Sequence, residues 1–309
     1  MIKKIFLVTG GTGFIGSHIC RLLINLGHKV VVYDNNTRGK LSRIDDIKHK
    51  IKFVKGDIRN KEKFFKASRG ADAIIHLAYV NGTKFFYSKP DLVLDVAVKG
   101  LVNVFDACKK YKIKEMYLAS SSEVYQTPIK IPTDEAESLK IPDIKNPRYS
   151  YGGGKILTEL MGINLGKKNF DKLVIFRPHN VYGKDMGNEH VIPEFINRIK
   201  LKKGSNFYIE GSGNEIRSFI HIKDFISAFK LLLRKGKHLE IYNIGTSDKI
   251  KVKRLALTIS SLMGIKIKIK KKPVKQGGTK IRVPNINKIR KLGFKRNYNL
   301  KQGLKDIIN

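Results

Sequence analysis

Tyr151 and Lys155 stand four residues apart in a segment patterned as a helix, so both side chains project from one face. A tyrosine titrating near about 10 is a poor base at neutral pH, but an adjacent ammonium favours its phenolate. The pair is therefore a way to take a proton from a hydroxyl group at neutral pH. Alone, a Tyr-x-x-x-Lys spacing is common surface decoration. Ser121, within Ser120-Ser121-Ser122-Glu123-Val124-Tyr125, can share a hydrogen bond with Tyr151 and the reacting hydroxyl. Glu123 adds a carboxylate that hydride transfer alone does not require, and it reads equally well as a solvated loop acid. Between Tyr151 and Lys155 lie Gly152, Gly153 and Gly154. Each glycine costs roughly 1 kcal/mol against alanine inside a helix, which points to close approach of a ligand or a partner helix.

The weight of that pair comes from the first 34 residues. An apolar run over 5–8 reads as a buried parallel strand and leads into Gly10, Gly13 and Gly16. An amphipathic helix carrying Ile19, Leu22, Leu23 and Leu26 follows. Gly10 permits the tight turn, Gly13 lets backbone approach a pyrophosphate, and Gly16 lets the helix pack on the strand. Free N–H groups and the dipole at the helix start, just after Phe14 and Ile15, hold phosphate charge. A second strand over 29–33 ends in Asp34, placed to bond the adenosine ribose hydroxyls. With all four parts in order, the chain binds a dinucleotide. Asp34 favours NAD over NADP, because a 2′-phosphate would meet its charge; Arg38 is the cation that could reverse the preference.

Strands are predicted over 5–8, 30–33, 52–54, 73–77, 115–119 and 173–176, with helices over 16–26, 61–68, 91–111 and 149–168 between them. This alternation predicts an α/β fold, a Rossmann-like doubly wound parallel sheet with every strand's carboxyl end on one rim. Past residue 176 the alternation loosens, with helices over 192–200 and 224–233 and a strand over 265–270. The expected division is a dinucleotide-binding domain, 1–176, and a smaller mixed α/β substrate lobe, 177–309, with segments returning to the first. The 309 residues suffice for both. Two cysteines, Cys20 and Cys108, sit among apolar residues and read as buried thiols of a reducing compartment.

The formal charge of +36 invites a nucleic-acid reading. The lysines are scattered, however, and the longest basic run is Lys270-Lys271-Lys272. No specific nucleic-acid partner is expected, only incidental polyanion binding at low salt. Nor is a metal site, a membrane span or a signal peptide, so the expected location is the cytoplasm.

With these residues in place, the chain resembles the extended short-chain dehydrogenase/reductases, specifically the NAD-dependent nucleotide-sugar epimerase/dehydratase family. The matching motifs are Thr9-Gly10-Gly11-Thr12-Gly13-Phe14-Ile15-Gly16, Asp34-Asn35, Gly56-Asp57-Ile58, His76-Leu77-Ala78 and the serine loop. They continue with Tyr151/Lys155, Arg177-Pro178-His179-Asn180-Val181-Tyr182-Gly183 and Arg217-Ser218-Phe219-Ile220-His221-Ile222-Lys223-Asp224. The resemblance implies that Asn35, Asp57, Ile58, Leu77 and Ala78 join the glycine loop and Asp34 around NAD. It assigns the chemistry to Ser121, Tyr151 and Lys155. Ser122, Asn180 and Arg217 would contact a nucleotide-diphosphate sugar, with Arg282 at the nucleotide end. A homodimer through helices 91–111 and 149–168 is implied as well.

The implied reaction is oxidation of a sugar hydroxyl, most often at C4, and use of the ketone. Re-reduction from the other face gives an epimer, the favoured outcome. Elimination of water (a 4,6-dehydratase) or loss of carbon dioxide from a uronic acid, either using Glu123, are the alternatives. A non-catalytic dinucleotide- or polyanion-binding protein would tolerate loss of Ser121, Tyr151 and Lys155, all of which are present. The chain departs from the family at Ala97, where relatives usually carry asparagine, at Gln126 in place of glycine, at Asn285 in place of aspartate, and over 81–87.

Overall fold

The computed structural model describes residues 2–201, 206–273 and 277–308. Six strands run through the first half: β1 (Ile5–Thr9), β2 (Lys29–Asp34), β3 (Ile51–Lys55), β4 (Ala73–His76), β5 (Glu115–Ala119) and β6 (Lys172–Pro178). Their connections carry α1 (Phe14–Asn25), α2 (Lys61–Ser68), the short α3 (Thr83–Ser88), α4 (Pro90–Tyr111) and α5 (Tyr149–Asn169). The second half contributes β7 (Val181–Tyr182), α6 (Val191–Leu201), β8 (Asn206–Glu210), β9 (Ile216–Arg217), β10 (Ile220–His221) and α7 (Ile222–Lys235). It ends with β11 (Glu240–Ile244), β12 (Ile250–Lys251), α8 (Val252–Leu262), β13 (Lys268–Lys272), β14 (Ile281–Arg282), α9 (Asn287–Lys291) and α10 (Leu300–Ile308).

The main sheet has the order β11-β6-β5-β4-β1-β2-β3, and every pairing in it is parallel. Strand order reverses between β1 and β4, where doubly wound folds open a crevice at the carboxyl ends of their strands. Alternation along each strand feeds two apolar layers. Phe6 and Val8 of β1 face one layer, with α1 and α7, while Leu7 faces the other, with α2, α4 and α5. Both faces of the inner strands are covered, which is why β1 and β4 read as apolar runs, whereas the edge strand β3 exposes Lys52 and Lys55. A third cluster, built on Phe195, Phe207, Leu255 and Leu304, lies wholly in the second half.

The sheet has seven strands where the sequence predicts six. β11 escapes the pattern because Asn243 interrupts its apolar run. That side chain is fully buried and satisfied: it donates to the carbonyls of Thr133 and Asn285 and accepts from Tyr125 Oη. The strand predicted over 265–270 forms three residues later, after Gly264 (φ +66°) closes α8, and pairs with β8. The cysteines Cys20 and Cys108 are both buried and unbridged. No helix among the described residues is long and apolar enough to cross a membrane.

Candidate active site

A cleft of about 1350 Å³ opens at the carboxyl ends of β1, β4, β5 and β6. Pockets for one drug-sized ligand span roughly 300–1,000 Å³, so this one has room for a cofactor and a substrate together. Gly10, Gly13, Phe14, Ile15, Gly16 and Leu77 line it at one end, Ser121, Ser122, Glu123, Tyr151 and Lys155 near its middle, and Asn180, Arg217 and Arg282 beyond. The structure thus brings residues spread over most of the sequence to one cavity.

Backbone crowding shapes the first end. Gly10 has φ +72°, and a Cβ there would stand 2.8 Å from the Ala78 nitrogen. A Cβ on Gly16 would stand 2.1 Å from the Gly10 carbonyl oxygen. α1 starts at Gly13 with no side-chain cap and no acid in its first turn, which leaves its N–H groups for an anion. The Asp34 carboxylate is almost fully buried and accepts the N–H groups of Thr12 (3.0 Å) and Asn36 (2.8 Å). A carboxylate has about four acceptor positions, so two hydroxyls can still bind. These features fit a dinucleotide. Asp34, Asn35, Asp57, Ile58 and Ala78 are not among the residues that line the cleft. Asn35 donates to Asp57 (3.0 Å), and the Arg59 fork on Asp57 holds that carboxyl down to about 2. Ile58 is buried against α4, close to Gly100. Arg38 forms an ion pair with Glu189 and covers the Phe85 ring at 4.9 Å, so it is engaged away from Asp34.

The middle of the cleft is buried and aromatic. Lys155 Nζ donates to the Ala119 carbonyl at 2.7 Å. Burial brings its pKa down to about 7, with Glu159, one turn along α5, pulling the other way. Burial also pushes the Tyr151 phenol well above its usual value, against the hydrogen bond from Ser121. Its ring stacks on Phe86 of α3 (4.8 Å, 19°) and meets the edge of Tyr79 (5.1 Å, 84°). Neither Tyr79 nor Phe86 is marked as a site residue by the sequence: Phe86 falls in 81–87, which departs from the family, and Tyr79 is signalled only by the glycine at Gly154.

Two of the three consecutive glycines in α5 now have causes. A Cβ on Gly152 would meet Gln126 Nε2 at 2.5 Å, and one on Gly154 would meet Tyr79 Oη at 2.0 Å. The serine loop and the segment after β4 both press on this turn of helix. Gln126, in place of the family's glycine, has φ +42°, a conformation that favours glycine.

From the far end Arg282 reaches back to Glu123 with a fork, Nη1–Oε1 2.6 Å and Nη2–Oε2 3.0 Å, with Arg148 at 3.6 Å. Burial would raise its carboxyl, but Arg282, Arg148 and Arg217 together hold it below the usual carboxylate range. Arg282, expected at the nucleotide end, therefore also reaches the serine loop. Arg148 was missed, because nothing in a proline-flanked loop marks one arginine among 62 cationic residues. Burial and Arg282 bring Arg217 down to about 10. Asn180 has φ +40° and donates to the Ser218 carbonyl at 2.7 Å.

Residues 6–245 match the model of the NAD dependent epimerase/dehydratase family. The chain belongs to this family. It is an NAD-dependent enzyme, and nucleotide sugars are the family's substrates. A Methanocaldococcus jannaschii protein provisionally named a UDP-glucose 4-epimerase is 32% identical over 309 residues, covering 98% of this chain and 97% of that one. The UDP-N-acetyl-alpha-D-glucosaminuronate decarboxylase of Bacillus cytotoxicus is 30% identical, with coverage of 99% and 97%. The crystal structure of Thermotoga maritima UDP-glucose 4-epimerase with UDP-glucose superposes with a TM-score of 0.89 at 26% identity, covering 98% of this chain and 97% of the other.

Proposed function

We propose that this enzyme is a nucleotide-sugar epimerase that oxidises its substrate transiently at C4 and reduces the keto-sugar from the opposite face. The observation that carries this reading is the state of Glu123. It is the carboxylate whose charge Tyr151 feels, and its arginine partners hold it ionised with a depressed pKa. A group held so firmly is a weak base, whereas elimination requires a base to take the C5 proton. Tyr151, Ser121 and Lys155 suffice for oxidation and return. The names of the Methanocaldococcus and Thermotoga relatives support the same choice.

In this mechanism Ser121 orients the C4 hydroxyl and Tyr151 takes its proton. Bound NAD would supply the acceptor for the C4 hydride and the donor that returns it, and its positive ring would favour the phenolate. Gly10, Gly13, Phe14, Ile15 and Gly16 would hold its pyrophosphate, and Asp34 its ribose. Lys155 keeps positive charge beside Tyr151 and would reach the nicotinamide ribose. Ser122, Asn180 and Arg217 would hold the sugar diphosphate, and Arg282 adds a cation near it. Asn35, Asp57, Ile58, Leu77 and Ala78 would complete the cofactor surround.

A second reading has its own observation. Arg148, Arg217 and Arg282 converge on one carboxylate, and a substrate carboxylate would meet the same cations. That suits a uronate decarboxylase, as the Bacillus relative is named. Incubation with a panel of UDP-, GDP-, dTDP- and CDP-sugars, with products identified by NMR, separates the readings. A C4 epimer is expected; a 4-keto-6-deoxy sugar or released carbon dioxide would overturn the epimerase assignment.

The enzyme should work as a homodimer through α4 and α5. Leu94, Val98 and Val102 form an exposed apolar stripe on α4, and Leu160 and Leu165 are exposed on α5. Other apolar positions of the two helices turn inward: Val96 is buried in the core, and Leu92 and Met161 pack against it. Light scattering at micromolar concentration should report a dimer; a monomer would count against this face.

A further inference from the structure

Tyr79 lines the middle of the cleft beside Tyr151 and Lys155 and has no place in the mechanism above. It follows β4, and the face of its ring lies 3.8 Å from Lys155 Nζ. It also meets the Tyr151 ring nearly at right angles, and Tyr151 in turn stacks on Phe86. The Tyr79 hydroxyl is buried with no hydrogen-bond partner among the described residues, in a niche between α4 and α5. A Cβ built on Gly154 would stand 2.0 Å from that hydroxyl oxygen and 2.8 Å from the Ala97 Cβ. The niche therefore admits a tyrosine because Gly154 has no side chain and Ala97 has a small one.

An ammonium is a strongly hydrated point charge with three donors, and taking it out of water is costly unless something replaces the water. Around Lys155 the replacements are few. The Ala119 carbonyl accepts one N–H. Glu159 lies one turn further along α5 and favours the charge. From β4, His76 faces it in the neutral state, its pKa brought down to about 3 by burial and by Lys155 itself. Tyr151 offers only a distant ring, 5.8 Å from the nitrogen to the centroid. The Tyr79 face is the closest remaining partner, and a desolvated cation over an aromatic face is held more strongly than an exposed one.

We propose that Tyr79 is a positioning residue for Lys155: its ring face holds the ammonium beside Tyr151, and Gly154 and Ala97 make the room that lets the ring lie there. The proposal rests on reading Tyr151 and Lys155 as the reacting pair. Removing the ring while keeping the site apolar leaves the Lys155 charge with less support, so its pKa falls. Less positive charge then stands beside Tyr151 at neutral pH, and its phenolate becomes harder to form.

The test compares Tyr79→Leu with Tyr79→Phe in the full-length enzyme, with Tyr79→Met replacing the leucine variant if it does not fold. In protein labelled with 13C at the lysine ε-carbon, one NMR signal should titrate near neutrality and vanish in Lys155→Met. In Tyr79→Leu that signal should move to lower pH by about one pH unit, the size of a desolvated cation–π contact. With NAD bound, its turnover at neutral pH should fall about tenfold and the basic limb of its pH profile should move the same way. Tyr79→Phe should keep the titration and the profile, because the ring face remains. An unchanged titration in Tyr79→Leu would overturn the proposal, as would an equal loss in Tyr79→Phe, which would place the effect in the hydroxyl. Absence of a near-neutral lysine signal would overturn it too. Tyr151→Phe serves as the separate control. If that variant turns over normally, the reacting pair is misread, while the NMR titration still judges the hold of Tyr79 on Lys155.

Discussion

At the cofactor end of the cleft the contacts are made by backbone, and at the substrate end by side chains. Gly10 and Gly16 are set by approaches that no Cβ could survive, and Asp34 is fixed by two backbone N–H groups from its own neighbourhood. Beyond Tyr151 the reverse holds. Glu123 from the serine loop, Arg148 from the start of α5, Arg217 from β9 and Arg282 from β14 meet through their charged tips. The first end is a rigid cradle whose affinity resides in geometry. The second is an electrostatic cluster whose selectivity can change by one substitution without disturbing the fold. The same parallel sheet can thus serve one cofactor while the chemistry on its rim diverges.

The largest effect should come where the two ends meet. Tyr151→Phe removes a single oxygen at the point of proton transfer, and turnover should fall by about 10²–10⁴-fold. NAD binding, measured by calorimetry, should stay nearly intact because the cradle is untouched. Near-normal turnover in this variant would remove the proposed mechanism.

Lys155→Met should also cost turnover, by about 10²-fold, together with some affinity for NAD, yet it should stabilise the fold. The folded pKa of Lys155, about 7, lies below the unfolded value. The native state therefore binds fewer protons than the unfolded chain between the two, and stability rises as pH climbs from about 7 towards about 10.4. At neutral pH the buried amine is a cost of the order of a few kcal/mol. Methionine removes it, so the melting temperature should rise at pH 7 and lose part of its dependence on pH above 7. A lower melting temperature at neutral pH would mean that the Ala119 and Tyr79 contacts outweigh the desolvation.

These two ends were not equally legible in the sequence. The glycine loop, Asp34 and the strand alternation could be read because their causes are local: a turn, a helix start and a strand buried on both faces. Tyr151 and Lys155 were legible through one turn of helix. Tyr79, Phe86 and Arg148 were not, because each matters only through neighbours distant in sequence. Gly154 hinted at Tyr79, since a glycine inside a helix signals a close approach without saying from where. β11 was missed for a related reason: its buried Asn243 is paid for by partners that no periodicity reveals.

Asp34→Ala probes the cradle. Loss of hydrogen bonds to a charged group costs about 1.5–3 kcal/mol, so NAD affinity should fall roughly 10–100-fold and the preference over NADP should narrow. Arg38 is occupied by Glu189 and should not rescue NADP in the parent enzyme. NADP binding as tight as NAD in the unmodified protein would show that the Arg38 pair opens readily and that the cradle is less fixed than its backbone suggests.

The smallest effect should come from Glu123→Gln, and it discriminates most sharply between the possible reactions. Glutamine keeps the shape of the side chain and one acceptor for the Arg282 fork, but turns an amide NH2 towards the other N–H. A modest rise in KM is expected from that mismatch. If the enzyme only epimerises at C4, kcat should change less than a few-fold, because Tyr151, Ser121 and Lys155 carry both hydride steps. If it eliminates water, the C5 proton has no base once the carboxylate is gone. Turnover would then stall as keto-sugar with reduced cofactor, seen as near-ultraviolet absorbance that persists after mixing. The arginine-held state of Glu123 argues for the mild outcome. Persistent absorbance together with lost product would move the assignment to a dehydratase. Lost carbon dioxide release from a uronate substrate would move it to a decarboxylase, making the arginine cluster a carboxylate site.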